Sequence, residues 1–114
     1  MKEIPARNIT MQEAEVLDLA LRRGAMTPVP DSVLANVPSL KVVGICTCGC
    51  RSIYFARESV KDRPLADTWA RTADGKQIAV MVWGADGRVT CLDFVDLFST
   101  GELPTPDSIG QPSE

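Results

Sequence analysis

Apolar and polar positions change period near residue 40. Before that point the spacing is helical. Thr10 and Glu13 form a Ser/Thr-x-x-Glu box, in which each side chain accepts the other residue's backbone N–H. Ala14, Leu17 and Leu21 then recur at helical intervals, and Val16 and Ala20 widen the stripe. Glu13, Glu15 and Asp18 lie early, and Arg22 and Arg23 late, as a helix dipole favours. Gly24 is a natural stop. These signals predict a helix over about 10–23. Residues 1–9 contain Pro5 and show no period, so they read as a lead-in. Pro28 and Pro30 mark a connection. Asp31, or the proline before it, opens a short helix over 31–37 with Val33, Leu34 and Val37 on its apolar side, and Pro38 ends it.

After residue 40, β-branched and alternating residues predict strands up to about residue 95. Candidates are 40–48, 52–56, 66–72, 77–83 and 89–95, with the charged stretch 57–66 read as a solvated loop. Asp74-Gly75 and Asp86-Gly87 each stand between apolar runs, and such pairs supply the positive φ that tight hairpins require. Leu103 and Ile109 tie the Pro-rich final stretch to the body, and 110–114 read as a mobile tail. The expectation is a single α+β domain over 1–109, with two N-terminal helices packed on a four- or five-stranded antiparallel meander.

Composition narrows the functional classes. The chain has 114 residues, 45% of them hydrophobic and 24% charged, enough for one domain with its own core. A net charge of −3 argues against a nucleic-acid partner, which a basic face would serve. No apolar run approaches the length of a membrane-spanning helix, and Met1–Thr10 carries no apolar signal core. Four cysteines in that context read as reduced thiols in the cytoplasm. Histidine is absent, so no imidazole is available to activate Ser52 or Ser59. No glycine spacing matches a phosphate-cradling loop. A non-enzymatic protein is expected.

The unusual chemistry lies in Cys46, Cys48 and Cys50, alternate positions that share one side of an extended chain. Cys91 follows in a later strand. Three readings stand side by side. Four thiolates suit zinc, although side chains two apart on a flat strand sit about 6.6 Å apart, so the chain must bend, and Gly49 permits that. Alternatively, Cys48 and Cys50 form a thiol redox sensor with Arg51 as the adjacent cation. Cysteine also packs as a small hydrophobe, which needs no chemistry and no cofactor. Asp93 and Asp96 form a paired-acid pattern that reads most simply as strand-end residues facing water.

The stretch Val43-Gly44-Ile45-Cys46-Thr47-Cys48-Gly49-Cys50-Arg51-Ser52 resembles a segment of small bacterial proteins of uncharacterised function, centred on C-x-C-G-C-x-S. The order of features is similar too: a Leu-rich helical start, the cysteine segment, Asp-Gly hairpins and an ending of the type Glu102-Leu103-Pro104-Thr105-Pro106. Cys91 lies outside the shared pattern, and the resemblance implies no established activity. What remains is a small interaction protein of the immunity or accessory-subunit kind. Its acidity suits a basic protein partner, and Tyr54, Trp69 and Arg71 are the candidate contacts on the solvent side of the sheet. Homodimerisation is compatible with a small domain that has sheet edges.

Overall fold

The structure is a computed structural model that describes residues 1–46, 51–57, 63–85, 87–95 and 102–110. Strand β1 spans Lys2–Asn8, helix α1 Met11–Arg23 and helix α2 Asp31–Asn36, which continues into a 3-10 turn at Val37–Ser39. The remaining strands are β2 (Lys41–Ile45), β3 (Ile53–Tyr54), β4 (Arg63–Arg71), β5 (Gln77–Ala85) and β6 (Arg88–Val95), followed by a second 3-10 turn at Pro106–Ser108. Among the described residues, six strands form one antiparallel sheet in the order β1-β2-β3-β6-β5-β4. The α+β class stands, but the sheet has six strands where the sequence implied four or five.

The additional strand is β1, in the segment read as a lead-in. It shows no period because it lies at the edge of the sheet with most of its side chains exposed. Its register with β2 also shifts between Glu3 and Arg7, where Pro5 interrupts the ladder. β4 likewise begins at Arg63, inside the stretch read as loop, and its register shifts between Pro64 and Ala66. Sequence-adjacent strands pair within β1–β2–β3 and within β4–β5–β6, but a single continuous meander does not form. β3 bypasses β4 and pairs with β6, Ile53 opposite Leu92 and Tyr54 opposite Cys91.

The Asp74-Gly75 turn joins β4 to β5, and Ala85 pairs with Arg88 where β5 meets β6, as the sequence implies. Gly75 and Gly87 have φ of +88° and +76°, a region in which a Cβ is strained. In the first turn the Thr72 N–H donates to the Lys76 carbonyl (2.9 Å) and the Gly75 N–H to the Thr72 carbonyl (2.9 Å). The Thr72 hydroxyl donates to Asp74 and holds its carboxyl below the usual range.

α1 begins with the capping box. The Glu13 N–H donates to Thr10 Oγ1 (3.1 Å), and the Thr10 N–H donates to Glu13 Oε1 (2.9 Å). Arg7, near the end of β1, grips the same carboxylate through both terminal nitrogens, at 2.9 and 3.0 Å. The helix then buries Val16, Leu17, Ala20 and Leu21 in one core with Ala66 and Ala70 of β4, Ile78, Val80 and Val82 of β5, and Leu92 and Phe94 of β6. Each buried Val, Leu, Ile or Phe among them contributes about 1.5–3 kcal/mol.

β4 would be an open edge, and two distant segments cover it. The Asp67 N–H donates to the Gly24 carbonyl (3.0 Å) and the Met26 N–H to the Leu65 carbonyl (3.0 Å). Further along, the Thr105 N–H donates to the Arg71 carbonyl (2.9 Å), the Gly110 N–H to the Trp69 carbonyl (2.9 Å) and the Arg71 N–H to Ser108 Oγ (2.8 Å). Ile109, fully buried, anchors that final segment, and Arg23 donates to its carbonyl (3.0 Å). No helix among the described residues is long and apolar enough to cross a membrane.

Candidate functional site

Strand alternation and register define the face of the sheet turned away from α1. One cross-strand row runs Trp69–Ala79–Val95 through β4, β5 and β6. The next runs Asp67–Met81–Asp93, and a third places Trp83 and Cys91 beside Tyr54 of β3. The first row is open, with Trp69 54% and Val95 47% exposed. The third closes, with Cys91 and Tyr54 buried and Trp83 half-buried. Of the three expected contacts, therefore, Trp69 reaches solvent, Arg71 is half-buried one turn of the pleat away, and Tyr54 is buried. The pairing of β3 with β6 packs Tyr54 beside Cys91, and no local pattern encodes that pairing.

Ser52 links Cys46 to β6. Ser52, buried between β3 and β6, donates to Asp93 Oδ1 (2.8 Å) and accepts the Phe94 N–H (2.9 Å). Its carbonyl accepts the Cys46 N–H (3.3 Å), which continues the β2–β3 ladder. Asp93 is thus a half-buried hydrogen-bond partner and not a strand-end acid in water. Asp96 lies outside the described residues, as do Cys48 and Cys50.

Cys46 is half-buried and Cys91 fully buried. β3 stands between the strands that lead to them, so their backbones lie at least two strand spacings, about 10 Å, apart. Among the described residues no group of three or more Cys, Asp or Glu is placed to hold a metal ion. A zinc site built on Cys46, Cys48, Cys50 and Cys91, or a thiol pair at Cys48 and Cys50, would depend on residues 47–50.

No family model, curated protein or solved structure matches the chain.

On the α1 side of the sheet the chain forms a cavity of about 440 Å³. Its walls are the α1–α2 connection, Val33 of α2, and the ends of β4, β5 and β6. Arg63 and Arg88 line it; the sequence places Arg63 in a charged loop near the binding face of Trp69 and Trp83, and leaves Arg88 beside a turn, so it does not bring the two together. The Asp-Gly hairpin was the available signal, because a tight β5–β6 turn necessarily brings Arg88 beside Ala85. What brings Arg63 across from Gly84 is the β4–β5 register, set by the Asp74-Gly75 turn.

Proposed function

We propose that this chain is a non-catalytic binding module of the immunity or accessory-subunit kind, which engages a basic protein partner through the outer face of its sheet. The observation that carries this reading is the exposed row Trp69–Ala79–Val95. A tryptophan more than half exposed is poorly placed for stability and well placed as an interface anchor, where tryptophan is enriched among the residues that dominate binding. The carboxylates of Asp67 and Asp93 stand in the adjacent row, and the chain as a whole carries −3. An apolar anchor beside acids complements a surface that presents an apolar pocket ringed by lysine or arginine.

The test compares affinity capture by the wild type, Trp69→Ala and Arg88→Ala from a lysate of the source cell, at rising salt. The expected result is a basic protein retained by wild type and Arg88→Ala, lost with Trp69→Ala and released as salt rises. Retention that ignores Trp69→Ala would overturn the assignment, as would the absence of any retained protein. Sedimentation of the purified chain supplies the other outcome: a dimer abolished by Trp69→Ala gives the face to a second copy instead.

A further inference from the structure

We infer that the cavity between the α1–α2 connection and the β4–β5–β6 end binds a small organic oxyanion, a carboxylate or phosphate head on an apolar body. Its volume of about 440 Å³ lies within the ordinary range of small-ligand sites. Its lining joins two unlike parts. Val29, Val33 and Leu65 supply an apolar wall, and Arg63 and Arg88 supply two guanidinium groups. Among the described residues the lining holds no carboxylate, and neither guanidinium has a salt bridge. Two guanidinium groups with no acidic partner among the described residues stand at one hollow in a chain whose net charge is −3. Planar guanidinium forks match carboxylate and phosphate oxygens through paired hydrogen bonds.

The site is also built to keep its shape. Pro28 and Pro30 fix the backbone of the connection wall. Gly84 lets the strands close up on the other side: a Cβ there would lie 2.5 Å from Leu65 Cδ1 and 2.7 Å from the Arg88 carbonyl oxygen. The missing side chain thus draws the apolar wall and the Arg88 backbone together at one point. A second hollow of about 180 Å³ shares Val33 and Arg88 with the first and extends past Leu40 and Val89. The two together set Arg88 beside the apolar side chains of Val29, Val33, Leu40, Leu65 and Val89, which suits a ligand whose charge is at one end. Such preorganisation lowers the ordering cost of binding.

The experiment is an amide-resolved NMR titration of the full chain with octanoate, octyl phosphate, inorganic phosphate and octyltrimethylammonium at fixed ionic strength. The expected result is saturable shifts at Val33, Leu65, Ala85 and Gly87 with octanoate or octyl phosphate at submillimolar concentration. The better of those two identifies the head group. Arg63→Ala and Arg88→Ala should each weaken that binding about tenfold or more, the usual loss for a hydrogen bond to a charged group. Both residues are exposed and outside the core, so the variants keep the fold, which their unshifted spectra elsewhere would verify. Four results would overturn the proposal: no saturation in the millimolar range, equal binding of the cationic octyl compound, inorganic phosphate binding as tightly as octyl phosphate, or affinity unchanged in both arginine variants.

Discussion

Burial pushes the Glu13 carboxyl up, but hydrogen bonds from Arg7 and Thr10, together with the Arg7 charge, hold it below the ordinary carboxylate range. The ionised form is therefore the one that folding favours. Its contribution is fully present above the ordinary glutamate pKa of about 4.3 and is lost as pH falls through the lower folded value. Glu13→Gln keeps an acceptor for the Thr10 N–H but removes the charge that Arg7 grips. It should cost about 1–2 kcal/mol at pH 7, and the gap to wild type should close on acidification below pH about 4. Urea unfolding at a series of pH values checks this; a gap of constant size would show that the charge adds nothing. Half of this small network was legible in the sequence. Thr10 and Glu13 are three residues apart, so their box is a local signal. Arg7 joins them only because β1 exists, and β1 has no period to reveal it. Tyr54 was misplaced for the same kind of reason: which face of a two-residue strand is covered depends on its neighbours, not on its own spacing.

The hairpins separate conformational strain from crowding. Gly75 has a positive φ and open space around it, so Gly75→Ala meets only the backbone penalty, about 1 kcal/mol. Gly84 has no positive φ but faces a side chain and a backbone carbonyl closer than any Cβ tolerates. Gly84→Ala should therefore cost more than Gly75→Ala, since strand backbone must move. Denaturant midpoints at unchanged slope measure both, and equal losses would show that the β5–β6 end yields freely. The elements that could be read from sequence are those made by adjacent residues: α1 with its cap, the short α2, β2, β3, β5, β6 and the turns of the hairpins. The start of β4 could not, because Arg63 and Pro64 resemble loop residues and become strand only when β5 offers them Gly84 and Trp83 as partners. The cysteine segment is conspicuous in sequence, but nothing local shows that Ser52, at its end, bonds Cys46 on one side and Asp93 and Phe94 of β6 on the other.

At the scale of the molecule, the order of strands is the feature that sequence could not supply, because the β3–β6 pairing joins two three-stranded halves across a long stretch of chain. Covering the β4 edge is a second such feature. Ile109→Ala should cost about 2–4 kcal/mol, as for a fully buried aliphatic side chain, and should speed hydrogen exchange at the Arg71 amide, whose acceptor is Ser108 Oγ. Unchanged exchange at Arg71 would mean that the final segment holds to the edge without its anchor. The β3–β6 pairing also has a consequence for the order in which the protein is made. Ile53 emerges in translation well before Leu92, and at about 5–20 residues per second the roughly 40 residues between them take about 2–8 s to add. Through that interval the nascent chain carries α1, β2 and β3 with no β6 to complete the centre of the sheet. Val42 and Ile53, both buried in the finished protein, lack β6 as a neighbour until it has been made. Folding of the N-terminal half is thereby timed by the synthesis of the C-terminal half.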